Sequence, residues 1–398
     1  MLPTVTRTAK IAAAVAAGLA GLALAGPALA SAASSGSASA SNGSGAAGQL
    51  QVQQVLNGQS LQHTYTPAGS TTTATEPLTN PDDVTTIGRD LFVNFQNGVG
   101  PQGQASSDGN TASTIVEFTA GGTVLHQWDL VGKSDGLTAD PQRHELIATV
   151  NEDANSSIYT IAPFAPAGDQ VQHYTYNEAL PHLGGTDAIS IYHGQVLVSA
   201  SAPGTTGTPV TSPAVYSVSF DPSTSIATVT PYFNDTDPAA AANVGPTLGQ
   251  VAPLALTDPD SSEVVPFLAP RFGGSFMLDS QGDDEEIFAR PAAGGLSLSV
   301  LHLSSSIDDS AWATSSDGFL LGSDGGNDTV DMVTGFFRPG TMFVADTPCN
   351  DNLAPATCPA PGFAANSLGQ ENMWTGAISQ VTTTGAAFGP NSLIFVRG

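Results

Sequence analysis

A phrase that returns at a fixed interval limits the fold more than anything else in this sequence. Gly132 to Thr160 reads GKSDGLTADPQRHELIATVNEDANSSIYT. Asp135 opens it in a small-residue loop, and Leu137 to Ala139 follow as a short apolar run. Asp140-Pro141 marks a turn. Leu146 to Val150, a turn rich in Asn and Asp, and Ile158-Tyr159 complete the phrase. The order is strand, turn, strand, turn, strand. Ser134-Asp135-Gly136-Leu137 has counterparts in Pro81-Asp82-Asp83-Val84 and Thr186-Asp187-Ala188-Ile189, so that Asp83, Asp135 and Asp187 stand 52 residues apart. Asp308-Asp309-Ser310-Ala311 opens another unit. Gln250-Val251-Ala252 opens a weaker one with no aspartate in register. Small sheets repeated at such a period bury their faces against one another around an axis, which predicts an all-β propeller of four-stranded blades.

The remaining strands follow from short runs of Val, Ile, Leu, Phe, Thr and Tyr between Gly, Pro, Asn and Asp turns. Second strands are expected at Leu91 to Phe95, Leu146 to Val150, Val196 to Ala200, Ser275 to Leu278 and Phe319 to Leu321. Third strands are expected at Thr114 to Phe118, Ser157 to Ile161, Ala214 to Phe220, Glu286 to Ala289 and Thr329 to Val333. The unit opened by Asp309 then carries a long insertion, roughly 335–366. The chain ends on half a unit, Ala386 to Val396. Near its start Val52 to Tyr65 is the complementary half, resembling Ile115 to Trp128, with Asn57-Gly58 as a hairpin turn. The economical arrangement joins the two ends in one closing blade and leaves no open sheet edge. Five full units and one shared unit make six blades; a seventh is the alternative if the insertion conceals one.

The segment before this region reads as targeting. Arg7 and Lys10 precede the apolar run Ile11 to Leu24, and Ala28-Leu29-Ala30 fits a cleavage site. Residues 1–30 are read as a secretory signal peptide, 31–48 as an Ala/Ser/Gly linker and 49–398 as the propeller. No later stretch is long and apolar enough to span a membrane. Nine Lys and Arg face 35 Asp and Glu, a net charge of −26. Such a surface repels nucleic acid and anionic lipid, so neither is expected as a partner. Most carboxylates lack a basic partner; they either face solvent or hold cations. Cys349 and Cys358, in a Pro- and Asn-rich loop of a secreted chain, are expected to form a local disulfide.

Two turn phrases carry a resemblance. Ile147 to Tyr159 (IATVNEDANSSIY) and Leu320 to Val333 (LLGSDGGNDTVDMV) resemble the NHL-type propeller repeat. Over most of 50–398 the chain is similar to secreted bacterial propellers related to the NHL and SMP-30/gluconolactonase-like groups. The resemblance implies the propeller fold. Such propellers host binding, lyase and lactonase roles alike. SMP-30-like lactonases use a metal at the channel mouth, with a ligand set that includes Glu and Asn; no residues are matched to those here.

Four aspartates are the candidate site: Asp83, Asp135, Asp187 and Asp309. Each precedes an inner strand, so a closed ring turns them toward one channel mouth. They are read either as caps of their own turns or as oxygen ligands for Ca²⁺ or Mg²⁺. His182, in the loop before Asp187, is a surface residue or, by analogy with streptogramin-lyase-like propellers, a general base. His144-Glu145 lacks the second histidine of a zinc-protease motif. Gly282 to Glu286 reads as a solvated acidic turn, and Trp128, Trp312 and Trp374 as packing between blades. The expected function is a monomeric extracellular binding or scaffold module for a small molecule or an extracellular protein. The alternative is a metal-assisted, lactonase-like hydrolase or lyase acting at the channel mouth.

Overall fold

The computed structural model describes residues 49–181, 184–201, 208–348 and 366–398. The segment 1–48, His182, Cys349 and Cys358 lie outside them, and with them the signal peptide, linker, general-base and disulfide expectations. Most of the described strands sort into antiparallel runs of four. The first blade is Pro81–Ile87, Asp90–Phe95, Ala112–Phe118 and Val124–Val131. The second is Ser134–Asp140, Glu145–Val150, Ser157–Ile161 and Val171–Tyr176. The third is Ile189–Tyr192, Gln195–Ser199, Pro213–Asp221 and Ile226–Asn234. The fourth is Pro259–Val264, Phe276–Ser280, Glu285–Ala292 and Gly295–His302. Ile307–Trp312, Met342–Asp346, Ser367–Asn372 and Ala377–Gln380 form the fifth. Leu393–Arg397, Gly318–Asp324, Thr329–Thr334 and Leu50–Asn57 form the sixth.

The first strands of these six runs touch one another in a closed circle, the sixth returning to the first. The protein is therefore an all-β propeller with its inner strands around a central channel. Its core is divided among the seams. Phe92, Ile115 and Trp128 of the first blade meet Leu146 and Tyr159 of the second. Val93 and Phe95 meet Leu56, Leu321 and Val330 of the sixth. Trp312 packs with Met277 and Phe288 between the fourth and fifth blades, whereas Trp374 is half exposed and stacks on the Arg271 guanidinium. Burying one such side chain is worth about 1.5–3 kcal/mol.

Three expectations are corrected. First, Gly318–Asp324 and Thr329–Thr334 do not continue the blade opened by Asp309; they cross to the sixth and lie between the two ends of the chain. The fifth blade instead takes Met342–Asp346, inside the expected insertion. Leu320 and Val333 pack in the seam with both Leu50 and Leu393, a choice of sheet that strand alternation cannot reveal. Second, the N-terminus gives one strand to that blade rather than two. Asn57 caps a short 3-10 turn by accepting from the Gln59 N–H at 2.9 Å, and Gln62–Tyr65 pairs with Ala74–Pro77 as a separate hairpin. Third, Val251–Pro253 is no inner strand. It pairs with Pro238–Ala241 on the outer side of the fourth blade, whose inner strand starts at Pro259.

Candidate functional site at the channel mouth

A bulge in the inner strands builds the site. Pairing with the second strand skips two residues between Pro81 and Val84, Ser134 and Leu137, Pro259 and Ser262, and Ile307 and Ser310. A bulge re-aims the skipped side chains instead of pairing them. The skipped pairs are Asp82-Asp83, Asp135-Gly136, Asp260-Ser261 and Asp308-Asp309. The structural equivalents of Asp135 are thus Asp82, Asp260 and Asp308. Asp83 and Asp309 stand one step further on, level with Gly136.

The two steps differ in what they line and bond. Asp82, Asp135, Asp260 and Asp308 line a polar mouth of about 310 Å³, joined by Glu152 and Asp258. The Gln96 amide donates to Asp82 Oδ2 at 2.8 Å and to Asp135 Oδ1 at 3.0 Å. The Gln281 amide donates to Asp308 Oδ1 at 2.7 Å and reaches Asp260 Oδ2 at 3.4 Å. Asp260 also borders a second chamber, of about 240 Å³, lined by Asp83, Asp309 and Glu263 with Ser, Thr and apolar residues. There Asp83 Oδ2 accepts from the Leu137 N–H of the second blade at 2.7 Å. Asp309 Oδ2 accepts from the Leu393 N–H at 2.7 Å and the Ser392 hydroxyl at 2.6 Å. These two aspartates stitch neighbouring inner strands together.

Of the four expected residues, Asp135 and Asp187 come together with Glu152: one oxygen from each of the three lies within 4.8 Å of the others. An all-oxygen set of this kind matches the chemistry of a hard divalent cation. The Lys133 ammonium already binds two of the three, bonding Glu152 Oε1 and lying 3.3 Å from Asp135 Oδ2. Burial pulls the Lys133 pKa down, but Asp135, Asp82 and Asp187 outweigh it and the ammonium is held above its ordinary value. Burial, then neighbouring carboxylates, push Asp82, Asp83, Asp187 and Asp260 well above the usual range. The same causes bring Asp258 up to about 6. Burial also raises Asp309 to about 6, against the hydrogen bonds it accepts.

Sequence reasoning missed Asp82, Lys133, Glu152, Asp258, Asp260 and Asp308. Asp82 and Asp308 adjoin the expected residues, and Pro259-Asp260, which repeats Pro81-Asp82, is the sequence signal for the fourth blade. The acidic run at 282–286 is also no solvated turn. Glu286 is fully buried, and Asp283 Oδ2 accepts from the Thr257 N–H at 2.5 Å.

No protein-family model matches the chain, and no curated protein does. Solved structures match over most of the chain at low identity. A protein of unknown function from Bacteroides caccae is 9% identical with a TM-score of 0.43, the match covering 88% of this chain and 100% of that one. A candidate 6-phosphogluconolactonase from Bacteroides uniformis is 12% identical with a TM-score of 0.40, covering 84% and 98%. Apo AztD from Citrobacter koseri is 10% identical with a TM-score of 0.34, covering 87% and 97%. These likenesses assign no activity.

Proposed function

We propose that the protein is an extracellular binding module that takes a divalent cation, Ca²⁺ or Mg²⁺, at the channel mouth. The observation that carries this reading is the convergence of Asp135, Glu152 and Asp187 within 4.8 Å. Lys133 is the counter-charge of the free state, and the incoming cation displaces its ammonium from Glu152 and Asp135. The affinity belongs to the weak range of extracellular oxygen-ligand sites, about 10⁻⁴–10⁻³ M. Secretion rests on the leader-like segment 1–30. The lactonase- or lyase-like alternative asks in addition for a general base. Among the described residues every histidine sits on an outer strand, in the 62–77 hairpin or in a turn.

Melting the full chain with and without Ca²⁺ or Mg²⁺ tests the proposal, with an ionic-strength match in NaCl. Binding to the folded state raises Tm by mass action. Asp187→Asn should reduce the rise. Because Asp187 holds its proton more tightly than an ordinary carboxyl, the rise should be larger at pH 8 than at pH 5. An unchanged Tm at millimolar divalent cation at pH 8 refutes the proposal.

A further inference from the structure

The seam between the fourth and fifth blades holds acids where alternation calls for apolar side chains. In the fourth blade Phe276, Leu278 and Ile287 face the third, and Met277 and Phe288 face the fifth. The period of two therefore turns Asp279 and Glu286 toward the fifth blade. In the fifth blade Gly369 lies against Val344, a member of the same seam. Two residues on, Glu371 points the same way.

Asp279 and Glu286 are cross-strand partners and fully buried; Glu371 is 6% exposed. All six of their carboxyl oxygens are buried without a hydrogen-bond partner. The Glu286 and Glu371 carboxyls lie within bonding reach of each other. Two carboxylates cannot bond; a carboxylic acid and its neighbour can. The other groups facing the trio are Asp308, Asp309 and Asp284 toward Asp279, and Glu263 toward Glu286. None of these is a cation. Among the described residues the mouth trio is the one group of three acids whose ligand atoms lie within 4.8 Å of one another; Asp279, Glu286 and Glu371 do not form such a group.

We infer that this seam is a proton-binding site, in which Glu286 and Glu371 face each other as carboxylic acids, one donating to the other across the two blades. The protons come from solvent on folding, and no other bond changes. The seam is tight while the pair is protonated and loosens as it ionises. Burial raises Glu371 to about 7, and burial with the neighbouring acids lifts Glu286 and Asp279 further from the ordinary range. Between the ordinary glutamate value of 4.5 and about 7 the folded chain holds a proton that the unfolded chain has released. Stability therefore falls as pH rises through that window.

The test compares wild type with the Glu286→Gln/Glu371→Gln double substitution, whose amides keep the shape and stay neutral. From pH 5 to pH 8 the wild-type Tm should fall by about 2–4 °C more than that of the doubly substituted protein. Amide exchange of 285–292 and 367–372, corrected for the intrinsic rate, should quicken over the same range in wild type only. Equal pH slopes in the two proteins overturn the inference. If the doubly substituted protein does not fold, Glu371→Gln is read the same way. Infrared spectra of wild type carrying isotope-labelled glutamate give a measurement without any substitution. A protonated-glutamate band at pH 6 supports the site, and its absence overturns it.

Discussion

At the scale of single residues, the bulged aspartates separate into two jobs by one step of sequence. Asp309 accepts from three donors: the Leu393 and Ser310 N–H groups, both at 2.7 Å, and the Ser392 hydroxyl at 2.6 Å. Removing the acceptor leaves buried donors unmet, at a cost of about 1–3 kcal/mol. Asp309→Ala is expected to lower the urea midpoint accordingly while leaving the cation-induced rise in Tm in place. Gly136 sits at the equivalent step, where a Cβ would come 2.3 Å from the Asp187 carbonyl oxygen. Gly136→Ala must push the second and third inner strands apart, an overpacking that costs about 1–3 kcal/mol. Because Asp187 moves with that strand, this substitution should also weaken Ca²⁺ binding. Full retention of cation response would show that the mouth does not depend on that close approach.

At the scale of elements, the closing blade interleaves three stretches of chain. Leu50–Asn57 is paired to Thr329–Thr334 on one side and runs parallel to Thr383–Gly385 on the other. Its side chains serve two seams: Leu50 and Val52 face the fifth blade and Leu56 faces the first. A chain starting at Gly58 loses the outer strand and uncovers both seams. Its Tm should drop sharply, and the exposed edge should promote association. An unchanged melting curve would mean that the strand contributes no stability to the ring. Leu56→Ala is the milder version, expected to cost about 2–5 kcal/mol.

At the scale of the whole molecule, burial and charge act together on pH. The net charge of −26 is carried partly by carboxyls that folding has made harder to ionise. Asp258, Asp309 and Asp331 are each raised from 3.8 to about 6, burial being the first cause. In each case the folded state binds more protons between those two values, so stability is lost as pH climbs from about 4 toward 6. His302, raised by its bond to Glu285, adds to the loss as it deprotonates. Calorimetry should find Tm higher at pH 5 than at pH 8. Added NaCl should recover more at pH 8, where surface repulsion is greatest. A Tm that rises steadily from pH 5 to pH 8 would contradict the buried acids as a group.

The class of fold was legible in the sequence. Equal spacing at 52 residues and period-two alternation are local properties, and the first three blades follow from them almost strand for strand. Of the aspartates in register, Asp135 and Asp187 converge with Glu152, because rotation about an axis brings equivalent positions toward one opening. Which sheet the strands Gly318–Asp324 and Thr329–Thr334 join is set by packing in three dimensions, since a strand with two apolar faces fits either neighbour. The bulge was equally hidden: skipping two residues shifts the register by one, which moved the mouth position from Asp83 and Asp309 to Asp82 and Asp308. Glu152 enters the site from a turn of the second blade and Lys133 from the link between the first and second blades. Glu286 and Glu371, 85 residues apart, meet only because two blades stack, and burial then turns charged glutamates into groups that need a proton.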